Sequence, residues 1–525
     1  MTGSFVRALP LNSPFENTYI RLSVKNKLIS SVGWNSLTVV LQVVIQLIYT
    51  SILARLISPD SFALMGIALS VVGFAEVFSQ IGIGPALVQR KDIGQQHLNG
   101  AFYVSVILGV SFTVIFVAIA PWIGAYYQSD LLSDVIQVVS ISFTLSAISI
   151  IPRSLMIKRM NFKKFFWSGM LSIIGGNLIV GLWLAWLGWD IWAYVFALVA
   201  QNLILTVSFW ILEPVKITRS WKWQQTRELV RYGGGSTLFN AFNFLATRID
   251  VLMVPSPGRN ASDTRLSSAG IYERSSYLMG LPITILGKLS ENVLFSGMAM
   301  LQDEKSKLQK TFLGAVYFIG ILVIPGCIFI ILFAKEIVLT YLGPDYESGI
   351  IIVQILFIGV AFRSLVKLCD SVLRALNALY IGSVIKLGFV VIMGIGIFFA
   401  MPYGLPYVAW AVVGATLLQF VFISALSLTL LDLRWSNYLL ALFAALRIGI
   451  ITLSISIPLR YLFDYYDLSL LLALSIAVIA NGIAIVVLAW IRPSIFGRGE
   501  QNALKMVLGR FAHVPVVKRL LDRLK

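Results

Sequence analysis

Stretches of about 20 apolar residues recur about fourteen times and fill nearly the whole chain. Each is long enough to cross the hydrocarbon core of a bilayer. A chain of 525 residues that is 58% hydrophobic and only 12% charged has too little polar surface to enclose a water-soluble core of that size. Lipid must solvate it, and in lipid every backbone amide and carbonyl has to be paired inside the chain, so the spans are helices. The expected class is an all-α polytopic membrane protein.

Hydropathy predicts spans at about 32–54, 61–84, 98–120, 131–151, 165–188, 190–212 and 232–254, then at about 268–298, 311–334, 350–375, 378–400, 404–430, 440–459 and 470–491. The fifth and sixth are separated only by the Gly188-Trp189 turn, a tight hairpin.

The net charge of +17 raises the question of nucleic acid, and its distribution answers against it. Basic residues crowd alternate loops: Arg7, Arg21, Lys25 and Lys27; Arg90 and Lys91; Arg153, Lys158, Arg159, Lys163 and Lys164; Lys216 through Arg231; Lys305, Lys307 and Lys310; Arg374; Arg434; and the tail from Arg492 to Lys525. The opposite loops hold only Arg55, Arg259, Arg265, Lys335 and Arg460. By the positive-inside rule the first set is cytoplasmic, which predicts both termini inside and an even number of spans. No nucleic-acid partner is expected, and the basic tail 505–525 is expected on anionic membrane lipid, with docking of a partner as the alternative.

Residues 1–31 are polar and hold no apolar core, so no cleavable signal is expected there. Cys327 and Cys369 fall inside spans and read as buried thiols; His97 and His513 stand alone in loops. No metal centre or cofactor is therefore expected. Asn260-Ala-Ser262 matches a glycosylation sequon of the kind frequent by chance. No Walker A loop and no carboxylate–nucleophile constellation is present, so the chain is not expected to be an enzyme.

A shift of about 216 residues overlays Asn161 on Asn377, Gly188 on Gly404 and Ala193 on Ala409 without a gap. The segments 120–130 and 334–345 also correspond: an apolar span ends, a Tyr-containing loop follows, and another span begins. Such a shift covers six spans, so the two copies share orientation, the parallel kind of repeat known in transporters. The predicted organisation is a segment 1–31, a first lobe 32–213, a linker 214–231, a second lobe 232–430, two further spans within 431–491, and a basic tail 492–525. Two such lobes rock against each other around a site at their interface, which points to a carrier.

The first helix of each lobe has a polar stripe. Asn35, Gln42, Gln46 and Tyr49 recur at heptad-like spacing, and Ser236, Asn240, Asn243, Thr247 and Asp250 follow i, i+4, i+7, i+11, i+14. Polar groups facing lipid are costly, so the stripes face protein or water. Two readings stay open: hydrogen bonds that tie helices together, or a shared water-filled cleft. Ionisable residues within spans concentrate in the second lobe: Arg248, Asp250, Glu273, Arg274, Lys288, Glu291, Arg363, Lys367, Asp370 and Lys386, with Arg447 beyond it. In the first lobe only Glu76 lies well inside a span. An Arg or Lys at the bilayer centre costs about 2.5–3.5 kcal/mol on insertion scales. Either the charges pair with one another, as Lys367 with Asp370 or Arg274 with Glu273, or a surplus forms a cationic cavity for an anionic substrate. Arg suits the second role because its planar fork binds phosphate oxygens bidentately.

The segment Leu53-Ala-Arg-Leu-Ile-Ser-Pro-Asp-Ser-Phe62 resembles the turn after the first helix in the polysaccharide transporter branch of the MOP exporter superfamily. Gly82-Ile-Gly-Pro-Ala-Leu-Val-Gln-Arg90, Arg248-Ile-Asp250, Tyr272-Glu-Arg274 and Leu301-Gln-Asp303 continue the likeness, which spans about residues 28–491 and is greatest to colanic-acid-type exporters and other Wzx-type flippases. Two positions depart from the branch: Glu273, where a neutral residue is common, and Ala63, where a Gly usually follows the Phe.

The resemblance implies a MATE/MOP-like fold of two pseudo-symmetric six-helix lobes plus two C-terminal helices, and a cleft opening alternately to either side. It also implies substrates made of sugar repeat units on polyprenyl pyrophosphate, moved across the bacterial cytoplasmic (inner) membrane, with polymerase and glycosyltransferases of the pathway as possible partners. On that reading Arg248, Arg274, Arg363, Lys367, Lys386 and Arg447 hold the pyrophosphate. Asn35, Gln42, Gln46, Tyr49, Asn240, Asn243 and Thr247 line the cleft for sugars, and Asp250 or Glu76 couples transport to a proton or sodium ion. Glu273 is expected to neutralise Arg274 and weaken it as a phosphate ligand. The alternatives are a cation-coupled multidrug antiporter on the same scaffold, which favours acidic cleft groups, and a non-transporting partner of a glycan-synthesis complex, which needs no intramembrane charge.

Overall fold

Helices account for almost all of the described residues, and the places where they stop explain the layout. The structure, a computed structural model, describes residues 37–79, 82–90, 93–219, 223–256, 265–289, 304–376, 378–466 and 468–491, with Trp34 and Met298. Asn35, Glu291, the sequon 260–262, the motif 301–303, Asn377, the segment 1–31 and the tail 492–525 lie outside the described residues, as do the side chains of Ser236 and Lys288. No strand occurs among the described residues.

The first six long helices are α1 (Leu37–Leu53), α2 (Pro59–Ser79), α3 (Gln95–Tyr127), α4 (Asp130–Lys158), α5 (Phe162–Trp186) and α6 (Ile191–Leu212). The next six are α7 (Trp223–Met253), α8 (Arg265–Leu289), α9 (Lys305–Leu332), α10 (Gly349–Ala375), α11 (Leu379–Ala400) and α12 (Leu405–Leu430). Helices α13 (Trp435–Tyr465) and α14 (Leu470–Ile491) follow. Among the described residues ten helices are long and apolar enough to cross a membrane, namely α2–α6 and α9–α13. The apolar parts of α1 and α14 are shorter, and the polar and charged residues of α7 and α8 keep them below that level. Each predicted span coincides with a helix over its described residues, and ten of these helices meet the length and apolarity of a membrane span among the described residues.

The repeat has a backbone signature. Gly188 ends α5 with φ 80°, and Gly404 ends the helical run after α11 with φ 103°. Both lie in the left-handed region that side chains disfavour, so the two matching hairpins need glycine at the same place. Ala193 and Ala409, just inside the helices that follow, are both fully buried.

Helix α2 joins the halves. It packs on α7 and α8 across the chain, as well as on α4 within its own half. At one end Gly270 of α8 approaches so closely that a Cβ there would sit 1.8 Å from the Pro59 carbonyl oxygen. Around that contact Ser267 donates to Asp60, Arg55 Nη2 donates to the Thr340 carbonyl at 2.6 Å, and Arg274 stacks 4.2 Å over the Phe62 ring. In the second half α7 packs on α11, α8 on α10, and α10 on α12, while α13 lies along α9. These contacts leave a polar space among α7, α8, α10, α11 and α12.

Candidate functional site

A cavity of about 360 Å³ lies among those five helices. Helix α7 contributes Asn243, Thr247 and Arg248; α8 contributes Ser276, Tyr277 and Thr284; α10, α11 and α12 contribute Arg363 and Lys367, Lys386, and Gln419. The spacing of Asn243 and Thr247, one turn apart, puts both on one face of α7, and the same rule aligns Arg363 with Lys367 on α10. Among the described residues, four cations and no carboxylate line the space.

Their surroundings differ. Arg363 is 9% exposed; its Nε donates to Thr416 Oγ1 at 3.4 Å, and its Nη2 has no hydrogen-bond partner among the described residues. An unpaired buried donor is expensive, and on a cation more so. Lys386, 1% exposed, donates to Asp370 Oδ2 at 2.9 Å and to Asn243 Oδ1 at 3.0 Å. Lys367 donates to the same Asn243 oxygen at 3.2 Å. Arg248 is about one-third exposed and only loosely associated with Glu273, at 3.9 Å.

Three predicted ligands stand elsewhere. Arg274 is buried and ion-paired with Glu273, with the Phe62 and Tyr277 rings 4.2 and 4.9 Å from its guanidinium carbon. It closes the joint between the halves and does not line the cavity, because Glu273 satisfies it there. Arg447 is exposed on α13 in company with Phe443, Leu446 and Ile450, all exposed too, and points away from the cavity. Asn240 is exposed on α7 and likewise outside the lining.

The stripe on α1 was expected to share the cleft, and its described members pack within the first half instead. Gln46 accepts from Asn177 Nδ2 at 3.0 Å, and Gln42 lies against Gly169, both partners on α5. A π-helical stretch, Ile174–Gly181, carries Asn177; such bulges turn a side chain off the regular helical face. Tyr49 is 1% exposed, edge-on to Tyr194 of α6. The correction has a simple cause: α5 offers an amide at the right depth, and an amide–amide bond within the bundle satisfies what a wet cleft would otherwise have to.

The two candidate coupling carboxylates also differ. Asp250 is fully buried behind the cavity wall, where Tyr272 and Ser276 hydroxyls donate to its Oδ2 at 3.0 and 3.2 Å. Its Oδ1 has no partner among the described residues. Ser276 reaches both this carboxylate and the cavity. Glu76 is half-buried on α2, within electrostatic reach of Arg153 on α4.

Sequence reasoning missed Gln419, Ser276, Thr284 and Arg153. Arg153 was assigned to a loop and lies inside α4. Gln419 had a usable signal: with Thr416 it makes an i, i+3 polar pair in the otherwise apolar stretch 408–423. Cys327 and Cys369 are free and buried, as predicted. No cluster of metal-ligating side chains occurs among the described residues.

The same helical fold occurs in solved transporter structures. The lipid II flippase MurJ in its inward closed conformation superposes with a TM-score of 0.68 at 15% identity, over 86% of this chain and 98% of that one. An inward-facing multidrug resistance MATE family transporter of the MOP superfamily superposes with a TM-score of 0.60 at 14% identity, over 74% and 95%. The chain belongs to the polysaccharide biosynthesis protein family, whose profile matches residues 52–351. Among relatives, the lipopolysaccharide biosynthesis protein WzxC of Escherichia coli (strain K12) is 23% identical over 363 residues, 67% of this chain and 71% of the relative. The teichuronic acid biosynthesis protein TuaB of Bacillus subtilis (strain 168) is 21% identical over 473 residues, 88% and 95% respectively.

Proposed function

We propose that this protein is a flippase that moves polyprenyl-pyrophosphate-linked oligosaccharide repeat units across the bacterial cytoplasmic membrane by alternating access, for surface polysaccharide synthesis. The observation that carries the reading is Arg363 Nη2, a buried cationic donor without a hydrogen-bond partner among the described residues, on a wall that also holds Arg248, Lys367 and Lys386. A guanidinium left in that state asks for an anion, and phosphate oxygens match its fork. Family membership and relatives named for lipopolysaccharide and teichuronic acid synthesis support the same substrate class. Sugars would meet Asn243, Thr247, Tyr277 and Gln419, and the prenyl chain would stay in lipid.

With both termini cytoplasmic, as the loop charges imply, an interior-negative potential favours outward passage of the anionic headgroup by about 2.3 kcal/mol per charge per 100 mV. Asp250 is the coupling candidate, since its free Oδ1 can take a proton or a cation and Ser276 links it to the cavity. A multidrug exporter of cations would want the opposite sign on the wall. Arg363→Ala should reduce polymer export by more than 100-fold while the protein still inserts in the membrane at wild-type abundance. Unchanged polymer output from that variant would remove the cationic cavity from the mechanism.

A further inference from the structure

One buried carboxylate lies between a cation of the cavity wall and the joint of the two halves. Gly270, Glu273, Arg274 and Tyr277 share a face of α8 by the i, i+3, i+4, i+7 rule, and Pro59, Phe62 and Gly66 likewise share a face of α2. The two faces meet. Gly270 lies against Pro59, Arg274 stacks on Phe62, and a Cβ on Gly66 would sit 2.6 Å from Glu273 Cγ. Glu273 is thus pressed against the first half at a point where α2 has no side chain to hold it off.

Its two oxygens serve different arginines. Oε2 accepts from Arg274 Nε and pairs with Arg274 Nη2. Oε1 lies 3.9 Å from Arg248 Nη1, an ion-pair distance too long for a hydrogen bond. Glu273 and Arg274 are both buried, and neither lines the cavity; Arg248 does. One carboxylate is therefore shared by two cations. Arg274 is held tightly at the joint, and Arg248 is held loosely enough to turn to another acceptor in the cavity.

Burying a carboxylate requires positive charge beside it. Closure of the joint buries Glu273, and both arginines offset that cost. An anion that draws Arg248 into the cavity leaves Glu273 with Arg274 alone and adds a like charge nearby, so the closed joint loses part of what holds it. Linkage is reciprocal: the closed joint lowers the affinity for the anion by the same factor. Opening admits water to Glu273 and Arg274 and removes the conflict. Resting on the reading of this cavity as the site of an anionic headgroup, we propose that Glu273 is a positioning residue that couples the cavity to the joint. An anion on Arg248 loosens the contact of α2 with α8, and the loaded carrier opens on that side. By the loop charges that side is the outer one, because Arg55 and Arg265 flank the joint.

A static counter-ion for Arg274 would have the same geometry, and the response of the joint separates the two roles. Spin labels go on Leu56→Cys, beside Arg55, and on Glu347→Cys, beside Tyr346, whose ring meets Phe62 at 6.4 Å. Both positions are exposed, whereas Cys327 and Cys369 are buried. Distances between the labels are measured by pulsed electron spin resonance on the full-length protein in lipid nanodiscs, with and without inorganic pyrophosphate at equal ionic strength. Saturating pyrophosphate should raise the fraction with an open joint at least threefold. Arg248→Gln should raise it at least twofold with no anion present, because Glu273 loses one of its two cations; a static counter-ion predicts no change. Glu273→Gln should open the joint without anion, tighten calorimetric pyrophosphate binding at least threefold, and cut the response to the anion below 1.5-fold. Adding Arg248→Gln to it should open the joint little further. Should Glu273→Gln prove unfolded, the wild-type and Arg248→Gln measurements carry the decision.

An Arg248→Gln joint as closed as that of the wild type, or a wild type that binds pyrophosphate with its joint still closed, overturns the coupling and leaves the anionic reading of the cavity standing. A wild type that binds no pyrophosphate overturns that reading and the coupling with it.

Discussion

Helices α1 and α7 hold equivalent places in the two lobes, and each carries a polar stripe, yet the stripes meet different neighbours. On α1, Gln46 and Gln42 meet Asn177 and Gly169 of α5, a helix whose only charges, Lys163 and Lys164, lie in its first turn. On α7, Asn243 meets two lysines, and Thr247 and Arg248 face the cavity. The difference lies in the partner helices. Helices α10 and α11 bring Arg363, Lys367, Asp370 and Lys386 into the interior, beside a polar cavity. The described polar groups of the α1 stripe meet neutral partners, whereas those of α7 meet charged ones. Such a division suits two bodies that move against each other, with the binding chemistry kept on one of them.

The joint between the lobes is where the comparison can be broken most severely. Gly270→Ala would drive a Cβ to 1.8 Å from the Pro59 carbonyl, backbone against backbone. We expect more than about 3 kcal/mol of destabilisation, read as a fall in thermal unfolding temperature in detergent. A variant as stable as wild type would mean that α2 and α8 do not meet this closely.

Carboxylates should divide the lobes next. Asp250→Asn keeps an acceptor for Tyr272 and Ser276 and removes the charge. In vesicles with an imposed proton or sodium gradient, it should slow flipping about tenfold, a difference of about 1.4 kcal/mol, and abolish the response to the gradient. Glu76→Gln should keep that response. If the gradient still accelerates the Asp250 variant, coupling lies elsewhere.

Within the first lobe, Gln46→Leu loses the Asn177 bond. Interhelical hydrogen bonds in membranes average about 0.6 kcal/mol and reach about 1.7, so equilibrium unfolding should show a loss in that range, with export unchanged. Export that falls much further than stability would return α1 to the substrate path. The smallest effect belongs to Arg447→Gln, which should leave export and stability within about 0.5 kcal/mol of wild type. A large export defect in complementation would show that the exposed face of α13 meets substrate.

Much of the fold was legible because hydropathy is a local property. A run of 20 apolar residues declares a helix without reference to its neighbours, and Gly188 and Gly404 announce matching turns because only glycine tolerates them cheaply. The loop motif beginning at Leu53 carried family membership in the same local way. The site was legible in part. Arg248, Arg363, Lys367, Lys386, Asn243 and Thr247 were all nominated from the sequence, and all six line one cavity. Arg274 and Arg447 looked equivalent to them, since intramembrane arginine reads the same at every position of a string.

What the chain alone determined is therefore the solvent it needs, its helices, its doubled pattern, and the sign of charge in its second half. All of these follow from the free energy of each segment in lipid. Which cations stay unpaired was settled only by tertiary structure. Pairing depends on distances of a few ångströms between helices far apart in sequence: Glu273 beside Arg274, Asp370 beside Lys386, and no carboxylate hydrogen-bonded to the Nη2 of Arg363 among the described residues.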